Sequence, residues 1–382
     1  MSALPSVIRA AAPTEVVNRW RASLGATSAS ACGELKEIYR ENWPTQGELI
    51  VTGACDFQCV HCIYPPEFAR HNRGVSAEDW RAMLDALCEQ LDMDTFVYGG
   101  RSLTTDGLRV VTDLRERRPA AQIGLIDNGI SMLPRKQALV DAGVDWIDVS
   151  LDGLRPAHDL QRGRDGSFDA AVRGALWLKE HGAAQRINIL TCLTELNIGS
   201  VCAMIREVNA LGFKNFFITP VTVAESVRPA ANLAPSEEQF AHFMRELTST
   251  ISELDDAWVE VLLFSPAYAR YVADLLPEVW NSMESGRDSL VWSDKRPSSS
   301  TAFFVRYFPL SLTGIRELIV NVNGDVIVPK AMAYGLIRDE HKFGNLLRTE
   351  PKKLIRSVPD STAFKFYMRE LECEAHFLRS VM

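Results

Sequence analysis

After Gly47 the hydrophobic positions switch repeatedly between the alternation of a strand and the three-to-four spacing of a helix, and the order of those switches predicts the fold. Glu48–Gly53 reads as a strand. Ser76–Leu91 reads as a helix, with Ser76 and Asp79 as a capping pair and Trp80, Met83, Leu84 and Leu87 on one face. Then follow strand Asp94–Tyr98, helix Thr104–Arg117, strand Gln122–Asp127, helix Pro134–Ala142 and strand Trp146–Leu151. Helix Phe168–His181, strand Arg186–Leu193, helix Ile198–Leu211 and strand Asn215–Thr219 complete the series. Strands separated by helices form parallel sheets, and right-handed crossovers curl such sheets into barrels. The expectation is an α/β protein, a partial (β/α)6 TIM-like barrel over residues 47–225, with its chemistry at the carboxyl ends of the strands.

Two regions flank this core. Residues 1–46 read as an N-terminal helical extension, with helical patterns at Thr14–Leu24 and Cys32–Glu41; Cys32 is read as a packing thiol. Residues 226–382 read as a C-terminal α+β cap. It begins with an amphipathic helix, Ser236–Leu254, capped by Ser236 and Gln239 and striped by Phe240, Phe243, Met244, Leu247, Ile251 and Leu254. A strand at Trp258–Phe264 and a helix at Tyr268–Leu276 follow. The polar stretch 281–301 reads as a mobile loop or lid, and Glu317–Lys330 as a β-hairpin turning at Asn323-Gly324.

Composition narrows the functional classes. With 382 residues, 47% of them hydrophobic, the chain can bury a large core. A net charge of −8 argues against nucleic acid as the main partner, since phosphates call for a basic surface. The sequence shows neither a membrane-length apolar run nor a secretory start, so the expectation is a soluble, cytoplasmic protein without a membrane partner. Eight cysteines, three of them clustered, fit a reducing compartment better than a disulfide framework.

That cluster lies in Gly53–Pro66, where Cys55, Cys59 and Cys62 stand in a C-x3-C-x2-C pattern. Thiolates suit soft metal centres. A four-iron cubane held by three cysteines keeps one iron open, whereas structural zinc takes four ligands, usually as two close pairs. His61, between Cys59 and Cys62, is badly placed to share their metal. An iron–sulfur cluster is therefore the preferred reading over zinc.

Polar residues collect at the predicted strand ends. Tyr98-Gly99-Gly100-Arg101 exposes backbone that a ligand can approach closely, and is also ordinary turn chemistry. Asn128, after Asp127, either binds a ligand or fixes its turn. Ser150 and Asp152 can take ribose hydroxyls or an ammonium, and Arg162 can pair with a carboxylate. Ser167 and Asp169 are read as helix caps, and Cys192 as a buried thiol rather than a hydrogen donor.

The cysteine spacing resembles the cluster loop of the radical S-adenosylmethionine (radical SAM) enzymes. Gly99-Gly100 resembles that family's GGEP motif, with Arg101 and Ser102 in place of Glu and Pro, and Asn128-Gly129 resembles its TNG turn. Ser150-Leu-Asp-Gly153, His158-Asp159, Arg162-Gly163 and Gly166-Ser-Phe-Asp169 resemble a block common in the SPASM-related branch. The resemblance implies a [4Fe-4S] cluster on Cys55, Cys59 and Cys62, and S-adenosylmethionine (SAM) as the second cofactor. Gly99 and Gly100 would hold its amino group; Asn128, Ser150, Asp152 and Arg162 its polar groups; and His61 and Thr191 its adenine. Leu318–Lys330 and Phe343–Leu346 resemble a SPASM or twitch extension, but Pro329-Lys330 stands where an auxiliary-cluster cysteine is common, and the tail offers Cys373 without a CxxC partner. One cluster and a metal-free cap are expected.

By the same resemblance the protein cleaves SAM to a 5′-deoxyadenosyl radical with electrons from a flavodoxin or ferredoxin. The radical takes hydrogen from a small polar substrate (sugar, aminocyclitol, nucleoside or amino acid) in natural-product biosynthesis, leading to elimination, decarboxylation, epimerisation or rearrangement. The alternatives are a peptide maturase and a non-enzymatic iron–sulfur or zinc module. Tyr98, Arg101, Asp127, Glu195, Arg306 and Tyr307 are the expected substrate contacts, though each also has an ordinary structural reading.

Overall fold

A computed structural model describes residues 44–62, 74–91, 93–99, 103–221, 233–285, 289–294, 300–309, 317–327 and 338–381, with residues 19, 33, 36–38 and 40 of the N-terminal segment. The described residues of Cys32–Glu41 are helical, and Ile38 among them is fully buried. Thr14–Leu24, apart from the helical Arg19, lies outside the described residues.

The predicted alternation is realised. Strands β1 (Gln46–Leu49), β2 (Thr95–Tyr98), β3 (Gln122–Asp127), β4 (Val144–Ser150), β5 (Ala184–Leu193) and β6 (Asn215–Pro220) lie side by side in chain order, all parallel. Between them run helices α1 (Ala77–Leu91), α2 (Thr105–Arg117), α3 (Lys136–Ala142), α4 (Arg155–Arg162), α5 (Ser167–Glu180) and α6 (Val201–Ala210). In α1 the Ser76 hydroxyl accepts from Asp79 N (3.0 Å), while Trp80, Met83, Leu84 and Leu87 are buried. Each such side chain contributes about 1.5–3 kcal/mol on full burial.

The C-terminal α+β part is built onto both edges of this sheet. Its elements are α7 (Glu237–Ile251), β7 (Trp258–Leu263), α8 (Pro266–Leu275), α9 (Pro277–Asn281), β8 (Glu284–Ser285), β9 (Leu290–Asp294) and β10 (Ala302–Tyr307), then β11 (Glu317–Val320), β12 (Asp325–Ile327), β13 (Lys342–Asn345), α10 (Pro351–Ser357) and α11 (Thr362–Val381). β7 continues the parallel run beside β6, β10 lies parallel to β7, and β11 lies parallel to β1 on the opposite edge. Among the described residues the result is one open, 13-stranded sheet in the order β13-β12-β11-β1-β2-β3-β4-β5-β6-β7-β10-β9-β8. The predicted capping box of α7 is present, and Gly324, at φ +77°, turns β11 into antiparallel β12.

Two expectations need correction, and one helix is not anticipated. β1 begins two residues before the predicted strand and ends at Leu49; Ile50 N still donates to Val320 O (2.9 Å), but the chain then leaves the sheet. The expected lid over 281–301 contributes β8 and β9, and β9 pairs antiparallel with β10. Within it Ser289 is fully buried and accepts from Arg306 Nη1 (3.1 Å), while 286–288 and 295–299 lie outside the described residues. Helix α4 carries no apolar stripe, because its buried side chains are His158, Gln161 and Arg162, and so the hydrophobic pattern does not announce it.

The sheet has two unlike faces. A Cβ on Gly107 of α2 would lie 2.4 Å from the Tyr98 hydroxyl, so Tyr98 faces the helices. Alternation then directs Val97 and Gly99 to the opposite, concave face. Tyr98, buried at 3% exposure, is thereby removed from the expected substrate contacts. Among the described residues no helix is long and apolar enough to cross a membrane.

Candidate metal centre

The cysteine loop runs from the end of β1 across the carboxyl ends of the strands, and α4 holds it there. Val60 N donates to Gln161 O (3.0 Å), and Cys62 N to Cys59 O (3.2 Å). Gly163 caps α4 at φ +63°, and a Cβ there would lie 2.6 Å from Gln58 O, so glycine is required both by conformation and by the approach of the loop. Gln161 is anchored in turn, donating to Cys192 O (2.8 Å) and accepting from the Thr194 hydroxyl (2.6 Å).

A cavity of about 300 Å³ opens beneath the loop. Cys55, Phe57, Cys59, His61 and Cys62 line it from above, Ile126, Asp127, Asn128 and Ser150 from β3 and β4, and Arg162 from α4. Leu190, Thr191 and Cys192 of β5, with Thr219, Pro220 and Val221 at the end of β6, complete the wall. All three loop cysteines are partly buried. Burial pushes the Cys59 thiol up to about 11, against the pull of the Arg162 guanidinium. Burial likewise holds His61 down to about 4, hence neutral, and its enclosed Nδ1 has no hydrogen-bond partner among the described residues.

Beside the thiols lies a buried ionic pair. Arg162 Nε donates to Asp152 Oδ2 (2.5 Å), and Arg162 Nη1 stands 3.9 Å from Cys59 Sγ. Asp152 Oδ1 also accepts from Cys192 N (2.8 Å), and Asp152 N donates to His158 Nδ1 (3.0 Å). Although burial opposes it, the Arg162 charge holds the fully buried Asp152 carboxyl below the usual range.

The structure thus gathers Cys55, Cys59, Cys62, His61, Asn128, Asp127, Ser150, Arg162 and Thr191 around one cavity, with Gly99 at the neighbouring strand end of the concave face. Several are engaged by contacts within the protein. Asn128 Oδ1 accepts from Ile130 N (2.9 Å) and Ser131 N (3.0 Å), which is the turn-fixing role. Asp127 accepts from Gly129 N (2.8 Å), Leu103 N (3.2 Å) and the Ser131 hydroxyl, so its carboxylate is engaged within its own turn. Asp152 is enclosed behind Arg162 rather than lining the cavity. Cys192, expected to be buried, is partly exposed on the cavity wall.

Arg306 and Glu195 are not among the cavity residues. Arg306 is paired with Glu260, and Glu195 is exposed, its N–H donating to Leu233 O (2.8 Å). Tyr307 is fully buried, its hydroxyl 2.8 Å from Glu374 Oε1. Gly100 and Arg101 lie outside the described residues, as do Pro329, Lys330 and the Cys373 side chain. The expected caps at Ser167 and Asp169 give way to Asp159, which accepts from Ser167, from Gly166 N (2.6 Å) and from Phe168 N (2.9 Å). Sequence reasoning missed Ile126, Leu190, Thr219, Pro220 and Val221 on the wall. Their signal is the period of two along each strand, which sets Ile126 with Asn128, Leu190 with Cys192 and Thr219 with Val221.

The thiols fit a multi-iron cluster better than a single ion. Among the described residues no three His, Cys, Asp or Glu side chains are gathered as ligands of one metal ion. In a cubane each thiolate takes a different iron, so the three need not converge on a point, and all three do face one cavity.

Fold and site together define a class: a parallel α/β barrel-type protein with a thiol-rich metal loop at the carboxyl ends of its strands. Residues 49–208 match the model of the Radical SAM superfamily, and the chain carries a radical SAM domain. It is 28% identical over 157 residues to the Fe-coproporphyrin III synthase of Methanosarcina barkeri, covering 40% of this chain and 38% of that protein. It is 25% identical over 126 residues to the probable GTP 3′,8-cyclase of Methanococcus maripaludis, covering 33% of this chain and 42% of that one. The chain thus spans about two fifths of the length of these curated relatives. Among solved structures it resembles SuiB of Streptococcus suis bound to the precursor peptide SuiA, with TM-score 0.61 and 13% identity over 88% of this chain and 71% of that one. It also resembles anSMEcpe with bound AdoMet, with TM-score 0.57 and 16% identity over 85% of this chain and 84% of that one. At these identities the structural likeness is one of fold, a TIM-like barrel.

Proposed function

We propose that the protein is a radical SAM enzyme whose cluster is held by Cys55, Cys59 and Cys62. The observation that carries this reading is the meeting of those three thiols with the polar ends of β3, β4 and β5 on one cavity. When bound, the cluster supplies the electron that cleaves SAM to a 5′-deoxyadenosyl radical. The chain's own residues bind and orient. His61 offers an enclosed, neutral ring with an unsatisfied Nδ1 to the adenine. The Ser150 hydroxyl is available to the ribose, and the concave backbone at Gly99 to the methionine end. Thr191 donates to Leu151 O (2.7 Å), tying β5 to the chain leaving β4 and fixing that wall. Apolar side chains from Ile126, Leu190 and Val221 exclude water from the reacting centre.

The finer reading is that hydrogen is taken from a small polar molecule, in keeping with a cavity of about 300 Å³ that SAM must share with the reacting part of the substrate. Anaerobic reconstitution is expected to give about four irons per chain, and dithionite with SAM to release 5′-deoxyadenosine. Cys59→Ala should abolish both. Zinc retained in place of iron, or iron loading without 5′-deoxyadenosine, would overturn the proposal. Deuterium transfer from labelled sugars, nucleosides or amino acids into 5′-deoxyadenosine supports the small-molecule reading; transfer from labelled peptides alone replaces it with peptide modification.

A further inference from the structure

Arg162 reads in the sequence as a partner for a ligand carboxylate, but the structure commits two of its donors elsewhere. Nε is held by Asp152 at 2.5 Å and Nη1 stands 3.9 Å from Cys59 Sγ, within hydrogen-bond reach of a large, soft acceptor. We infer that Arg162 tunes the cluster, donating an N–H···S hydrogen bond to the Cys59 thiolate that raises the reduction potential, and that Asp152 is the residue that positions it. The inference rests on the reading that Cys59 ligates an iron–sulfur cluster.

The geometry fixes the guanidinium from both sides. Arg162 is the last residue of α4, immediately before the Gly163 cap that lets the helix end touch the cysteine loop, so its backbone cannot drift from Cys59. Its side chain is 11% exposed and that of Asp152 is 0% exposed, which keeps both charges in a low-dielectric setting where hydrogen bonds are strong. Asp152 is itself held by Cys192 N and by its own N–H on His158, so the carboxylate cannot turn away.

Electrostatics gives the sign. One-electron reduction adds negative charge to the cluster and its sulfurs, and a cationic donor stabilises the reduced form more than the oxidised one. Hydrogen bonds to ligand sulfur and nearby charge are established determinants of such potentials. The Asp152 charge opposes this in part, but it is the guanidinium that stands directly against Cys59 Sγ. Arg162 is thus a positioning and tuning residue, acting through Cys59.

The test is an EPR-monitored redox titration of reconstituted protein without SAM. Loss of one charge-assisted hydrogen bond in Arg162→Gln should cut the reduced-to-oxidised ratio at a fixed potential roughly tenfold, a negative midpoint shift of about 59 mV for a one-electron couple. Arg162→Lys, which keeps the charge, should recover part of that shift. If Arg162→Gln fails to load because the buried Asp152 is left unpaired, the double variant Asp152→Asn/Arg162→Gln removes both charges and should still fall below wild type. An unmoved midpoint in a loaded variant, with only SAM binding weakened, overturns the inference and returns Arg162 to ligand binding. Failure of wild-type protein to take up a cluster instead overturns the cluster reading itself.

Discussion

At the scale of single residues, the concave wall carries an acid pressed by burial and by a second carboxylate. Glu48 of β1 shares a face with Gly99, where a Cβ would lie 2.9 Å from Glu48 Oε1. Burial, and then the Glu317 carboxylate on the neighbouring strand, push the Glu48 carboxyl up to about 8. A folded-state pKa above the unfolded one means that the native state holds the proton more tightly, so stability is greatest in acid and falls as pH rises. The midpoint of urea unfolding is therefore expected to decline between pH about 5 and about 8 in wild type and to flatten in Glu48→Gln. An equal decline in the variant would assign the pH dependence to other groups. Near the cluster loop, single residues divide similarly between apparent and actual roles. Asn128 and Asp127 look like ligand contacts in the sequence because short polar side chains at strand ends suit both ligands and turns, and their bonds to local backbone decide for the turn.

At the scale of elements, α4 and α5 show how structure is specified without a hydrophobic stripe. Asp159 lies near the end of α4 and accepts from Gly166 N, Phe168 N and the Ser167 hydroxyl, capping α5 from the preceding helix. Despite some burial, those three hydrogen bonds hold its carboxyl below the usual range. Asp159→Ala should destabilise the fold by about 1–2 kcal/mol, the usual range for a lost N-cap, measured as a lower thermal or urea midpoint. Ser167→Ala leaves the two backbone bonds in place and should cost less; an equal loss would return the capping role to Ser167. Cysteines, histidine and glycine in this region meet because α4 ends where the loop passes, and Val60 N is bonded to Gln161 O. No local propensity in the octet RPAHDLQR declares a helix whose buried face is polar.

At the scale of the whole molecule, chain segments far apart in sequence extend the sheet at both edges. β11 joins β1 across some 270 residues, and β10 joins β7 after the excursion through α8 and α9. Tyr307 of β10 then ties the sheet to the long C-terminal helix α11 through Glu374, 2.8 Å away. Tyr307→Phe removes that donor from a buried carboxylate and should cost about 1–3 kcal/mol in unfolding free energy; an unchanged urea midpoint would show the bond to be dispensable. The sequence by itself determined the α/β alternation, the capping pairs of α1 and α7, and the three-thiol loop, because periodicity, turn chemistry and ligand spacing are local properties of neighbouring residues. It took long-range packing to make strands of Glu284–Ser285, Leu290–Asp294 and Ala302–Tyr307, to set Arg306 against Glu260, and to share Arg162 between Asp152 and Cys59. Those outcomes depend on which distant group satisfies a buried polar atom, and the chain's own pattern does not specify that partner until the sheet brings the two together.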